Sequence, residues 1–223
     1  MDAARFKHLI YRGHAKAAKR IGFLYSLYRP TTYRDPINAD NLVGTLNAAF
    51  TVHSAKEFSF DMPSDLDHPQ FHALVDGEQV QVGDYLVGPN VGNTYFIASM
   101  TPGMPILAIW CNRVATLYKA TAFQALGLQP YSPTITQPKE YSTSASMANW
   151  PVCILKAKAL REQYLPQDVG TGSYNLIMPA NPEQQGGLAQ GTILIDDLGF
   201  RYGVMLSDEQ AGVWRAEIQR VQT

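Results

Sequence analysis

The apolar positions of residues 2–20, "DAARFKHLIYRGHAKAAKR", recur at Ala3, Phe6, Leu9, Ile10 and Ala17 and continue to Ile21. That spacing predicts a helix. Asp2 can cap its start, while Lys19, Arg20 and the following Gly22 suit its end. Gly13 weakens the middle by about 1 kcal/mol relative to alanine. "FLYSLYRP" follows, an aromatic, β-prone run closed by Pro30. Residues 1–35 thus read as a basic helix with an aromatic strand. In residues 36–78 the period is poor. "TLNAAFTVHSAKEFSF" alternates loosely and suits one or two strands, and "MPSDLDHPQFHALVDG" reads as turns around a short helix starting at Pro69. An extended arm is expected there.

From residue 79 the alternation sharpens. "QVQVGDYLVG", "NTYFIASM" and "MPILAIWCNRVATLYKA" are three strand-like runs separated by glycine turns. Three or four strands within 79–120 suit a small closed barrel of the broad SH3-like or OB-like kind. Residues 121–149 turn rich in Pro, Ser and Thr and read as an extended strap. A second β unit is expected over 150–223. The predicted fold is mainly β with an N-terminal α-helix, two small β-barrel-like units being joined by extended straps.

The two β units echo one another. Residues 91–114 and 198–221 align without a gap and match at Gly92/Gly199, Tyr95/Tyr202, Arg113/Arg220 and Val114/Val221. Gly83/Gly191 and Leu86/Leu194 join them when one residue is dropped. Duplication of one unit explains these matches, and so does convergence on hairpin chemistry.

Composition adds an asymmetry. The formal net charge is −1, yet residues 1–34 carry eight basic side chains against Asp2, a local net of +7, and the remainder nets −8. The two ends can attract one another or a neighbouring copy. Two cysteines, Cys111 and Cys153, are too few for a disulfide framework and suit a reducing compartment. No run approaches a membrane span, and the N-terminal segment lacks the apolar stretch of a signal peptide.

Candidate chemistry is thin. His68 and His72 stand four apart with no third ligand, near Asp65 and Asp67 in a turn. His8 and His14 fall on different helical faces, and His53 stands alone in a strand-like run. No GxSxG elbow is present. Arg113 beside Cys111 suits thiol activation less than Cys111 suits a strand core. Asp196 and Asp197 fit a hairpin turn. "GPNVGN" links two β segments and opens no helix, so it is no phosphate loop. Neither a catalytic residue, a metal nor a cofactor is expected.

Arg5, Lys7, Arg12, Lys16, Lys19, Arg20, Arg29 and Arg34 remain as a partner-binding set. An acidic protein surface fits them better than nucleic acid does, because the acidic remainder of the chain repels phosphate. "RGHAKAAKRIGFLYSLYRPT" followed by "VQVGDYLVG…TYFIASMTPGMPILAIWCNRVATL" resembles small virion proteins of tailed, particularly contractile-tailed, bacteriophages: tail-completion, head–tail joining and baseplate proteins. The resemblance spans residues 10–118 and is one of texture. It implies a non-enzymatic virion component of the tail, assembled in the host bacterial cytoplasm, forming ring-like contacts with its own copies and neighbouring tail proteins. The length favours a baseplate component over single-barrel completion proteins. The competing expectations are a nucleic-acid-binding barrel module with a basic helix, and a small phage-associated hydrolase.

Overall fold

A computed structural model describes residues 3–52, 69–90, 92–101, 103–120, 141–156, 173–180 and 188–221. Among them are one α-helix, α1 (Ala3–Ile21), a 3-10 turn (Ala39–Asn41), and twelve strands. The strands are β1 (Phe23–Tyr28), β2 (Leu42–Val52), β3 (Gln70–Leu74), β4 (Tyr85–Val87), β5 (Thr94–Ser99), β6 (Ile106–Trp110), β7 (Arg113–Ala120), β8 (Tyr141–Lys156), β9 (Ser173–Pro179), β10 (Ile193–Asp196), β11 (Arg201–Gln210) and β12 (Val213–Arg220). They close into two six-stranded antiparallel barrels, ordered β1-β2-β3-β6-β5-β4 and β7-β8-β9-β12-β11-β10. The expected mainly β fold, with one N-terminal helix and two barrel-like units, is the fold observed.

Strand alternation builds the first barrel's interior. Tyr25 and Leu27, Leu46 and Ala48, Ala73 and Val75, and Ile106 and Ala108 are spaced by two and form one buried cluster with Leu86 and Ile97. The opposite faces of β4–β6 are buried as well. Tyr85, Phe96, Ala98 and Ile109 belong to a second cluster that contains the core of the other barrel, including Trp150, Leu176, Tyr202 and Trp214. Burial on both faces accounts for the unbroken apolar runs "YFIA" and "ILAIW", where a half-buried strand would alternate.

Barrel boundaries differ from the expected segments. The aromatic strand of residues 1–35 and the arm at 36–78 supply β1, β2 and β3 to the first barrel. The short helix expected from Pro69 is instead strand β3, whose Phe71 and Ala73 pair with Val52 and Phe50 of β2 and with Ala108 and Ile106 of β6. Five residues with an apolar partner strand on each side gain more from two ladders than from an isolated helical turn. Of the expected strap, residues 141–149 are the first part of β8, and 121–140 lie outside the described residues. The joint between the barrels is Cys111 and Asn112 alone.

α1 lies where the periodicity put it, but on a different face. Tyr11 and Ala18, seven apart, are buried against the first barrel, whereas Phe6, Leu9 and Ile21 are 47%, 49% and 63% exposed. Tyr11 wins because its ring packs against Gly77, where even a Cβ would come within 2.5 Å of the ring. Gly22 ends the helix, its N–H donating to Ala18 O at 2.8 Å. A Cβ there would meet Ala18 O and Ala48 O at 2.6 Å, so only glycine lets the chain turn into β1 so close to β2.

Candidate functional site: a repeated barrel and its basic helix

The two barrels repeat one topology. Replacing β1 to β6 by β7 to β12 in order turns the first strand order into the second. Details repeat too. Gly83 N–H donates to Ile97 O, and Ile97 N–H returns to Asp84 O; Gly191 N–H donates to Val204 O, and Val204 N–H returns to Thr192 O, all at 2.9 Å. Both glycines hold positive φ, +91° and +81°. A bulge follows at the same place, between Ile97 and Ser99 in one barrel and between Val204 and Leu206 in the other. Leu86 faces Tyr95 as Leu194 faces Tyr202. Edge-to-face ring pairs recur as well, Phe71–Tyr95 with centroids 5.5 Å apart and Tyr174–Tyr202 at 5.4 Å.

This register keeps four of the six sequence matches: Gly83/Gly191, Leu86/Leu194, Gly92/Gly199 and Tyr95/Tyr202. The other two are coincidences. Tyr95 pairs with Trp110, but Tyr202 pairs with Arg220, so the second hairpin is longer and Arg220 is the counterpart of Trp110. Arg113 instead opens β7. A match the alignment window missed lies in the first strand of each barrel. Leu27 pairs with Leu86 as Leu117 pairs with Leu194, which superposes Ser26–Arg29 on Thr116–Lys119. "SLYR" and "TLYK" were visible in the sequence, but outside the compared segments.

The barrels are welded by side chains. Tyr85 Oη donates to Pro151 O at 2.8 Å, and its ring lies 6.1 Å from that of Trp150. Asn112 donates to Ile154 O and accepts from Ile154 N–H, extending the sheet through the joint. Residues Tyr33–Asp35 run beside β8, with Ala148 N–H donating to Tyr33 O and Asp35 N–H to Ala148 O, both at 3.0 Å. Trp150 Nε1 also donates to Tyr33 O at 2.8 Å. Near this junction Arg29 grips Asp84 with two bonds of 2.9 and 2.7 Å. Asp84 is fully buried and also accepts from Gln81 N–H. The hydrogen bond and charge of Asp84 raise the Arg29 pKa further above its ordinary value.

The eight cations therefore part company. Arg5, Lys7, Arg12, Lys16, Lys19 and Arg20 are exposed on α1, which carries no acidic residue. Arg5, Lys16 and Arg20 sit on the side away from Tyr11 and Ala18, Arg12 and Lys19 on the flank next to it, while Lys7 leans over the Tyr11 ring at 5.4 Å. Arg29, 33% exposed at its side chain, is paired with the buried Asp84 carboxylate. Arg34 stays exposed, stacked 5.1 Å from the Tyr33 ring.

Other candidates resolve into structure. Burial raises the thiol pKa of Cys111 well above the ordinary value and that of Cys153 to about 12, so Arg113 creates no thiolate. Asp196 Oδ1 accepts from Leu198 and Phe200 N–H, and its Oδ2 accepts from Tyr202 Oη, which makes it the organiser of the β10–β11 turn. Asp197 is exposed beside it. His8 pairs with Glu78 at the surface. His72 is in β3, while His53, Asp65, Asp67 and His68 lie outside the described residues. Among the described residues no three His, Cys, Asp or Glu side chains gather as a metal site. No described helix is long and apolar enough to cross a membrane. Compared with family models, curated proteins and solved structures, the chain matches none.

Proposed function

We propose that this protein is a non-enzymatic structural component of a bacteriophage tail, placed in the baseplate or at the tail junction. The reading rests first on the resemblance of residues 10–118 to small tailed-phage virion proteins. The structural observation that supports it is one topology built twice and fused through a shared apolar core into a single body. Such a body presents two similar units at a fixed separation, which suits a part repeated around an axis. It also spends its ionisable groups on structure: Arg29 on Asp84, Asp196 on a turn, the cysteines on the core. The exposed cations of α1 are left to meet an acidic neighbour.

The test is composition of the particle. Tails purified from a host carrying the gene should contain the chain in a fixed number of copies, and a strain lacking it should yield incomplete tails. Its absence from purified particles would overturn the reading. The nucleic-acid reading draws on the same unopposed row of cations. It predicts binding of duplex DNA that weakens by orders of magnitude between about 50 and 200 mM salt.

A further inference from the structure

Closed barrels leave few free strand edges, so association of this chain must run largely through side chains. Among the places where large apolar side chains stand exposed on the described surface, two carry charge of opposite sign beside them. One is the corner where α1 meets β1: Ile21, Phe23 and Leu24 are 63%, 72% and 57% exposed, and Lys19 and Arg20 stand immediately before them. The other is a groove of about 390 Å³ over β9, β11 and β12 of the second barrel, with Gln70 of β3 at its edge. Leu206, 68% exposed, and Ile177 form its apolar part. Its rim carries Asp208 and Glu217 against Arg215, which lies opposite Asp208.

We infer that the Phe23 corner of one copy seats in the Leu206 groove of a second copy. This rests on the assembly-subunit reading and names the partner of the cationic end of α1. Exposed large apolar side chains rimmed by charge mark protein contacts. Charge selects this pairing, because cations flank the corner and carboxylates outnumber cations at the groove. Volume permits it, since about 300 Å³ already accommodates an organic ligand of several carbons. The apolar content argues against phosphate as the occupant: Phe23 and Leu24 offer a phosphodiester nothing. Corner and groove are different surfaces, and each copy offers one of each. Two copies therefore either exchange both contacts in a closed dimer or, where that two-fold geometry does not fit, propagate into a ring or a filament.

The experiment uses the full chain in analytical ultracentrifugation, at about 100 µM, well above a micromolar Kd. Wild type should form a dimer or a larger species. Phe23→Glu and Leu206→Glu should each be monomeric, and since both side chains are mostly exposed, circular dichroism should be unchanged. Mixing the two variants should give a dimer and nothing larger, because one good corner meets one good groove. Lys19→Glu with Arg20→Glu should weaken association at least tenfold, and adding Asp208→Lys with Glu217→Lys should restore it. A monomeric wild type overturns the contact, and so does a mixture that stays monomeric. DNA binding lost in Phe23→Glu would assign the corner to nucleic acid and overturn it too. Oligomers that survive both single variants overturn this contact while leaving the subunit reading intact. Absence from tail particles removes that reading without touching this measurement.

Discussion

Asp84 and Thr192 hold the same place in the two barrels and meet different partners. Both are buried, and both return a backbone carbonyl to the bulged strand. Asp84 faces Arg29, while the counterpart of Arg29 is Lys119, which is exposed. At this place the first barrel thus carries a buried carboxylate where the second carries a threonine. Removing one partner of such a pair strands the other, so Asp84→Ala should cost about 3 kcal/mol, somewhat less than a fully buried pair because Arg29 reaches water. Arg29→Lys with Asp84→Thr, which imports the second barrel's residues, should cost less than the sum of the single changes. Urea unfolding of the set measures this. A fully additive result would show that the two sites are not interchangeable.

At the scale of elements, the hairpins carry the repeat, and glycine geometry makes it testable. Gly83 and Gly191 sit at positive φ, where a side chain strains the backbone, so alanine at either should destabilise by about 1–2 kcal/mol. Gly13 lies in mid-helix, where a Cβ would meet nothing within 4 Å, and Gly13→Ala should stabilise by about 1 kcal/mol. Thermal melts of the three variants would show two losses of similar size and one gain. α1 itself was legible from spacing, and so were the hairpins, since turn glycines and strand alternation are local. The orientation of α1 was not. Its periodic set included Phe6, Leu9 and Ile21, and the choice of Tyr11 and Ala18 came from the shape of the barrel wall at Gly77. β3 was hidden for a related reason: five residues become a strand only once β2 and β6 flank them.

For the whole molecule, the shared core predicts behaviour in alkali. Tyr85, Cys111 and Cys153 are buried as neutral groups at the junction, and burial raises each pKa, that of Cys153 from 9.0 to about 12. Tyr202 rises from 10.0 to about 12, by burial first and then by the nearby Asp196 charge. The unfolded chain releases these protons from about pH 9 upward, while the folded chain keeps them, so it binds more protons and loses stability as pH rises. Below about pH 8 both states are protonated and this contribution is flat. The melting temperature should therefore hold through neutral pH and fall between about pH 9 and 12. Fluorescence of Trp110, in the first barrel, and of Trp150 and Trp214, in the second, should change together. Separate transitions would mean that the junction does not couple the barrels.

The sequence alone determined what local physics can determine: a cationic helix, strands from period-two patterning, turns from glycine, and a repeated hairpin with four of its matching residues correctly placed. Tertiary structure decided the rest. Which apolar residues are core and which are surface depends on what lies across from them, so Phe23 and Leu206 could be recognised as exposed only after both barrels had closed. The pairing of Arg29 with Asp84 spans fifty-five positions and leaves no local trace. The offset that makes Arg220 the counterpart of Trp110 comes from ladder register, which is set by hydrogen bonds between strands rather than by residue order along one of them.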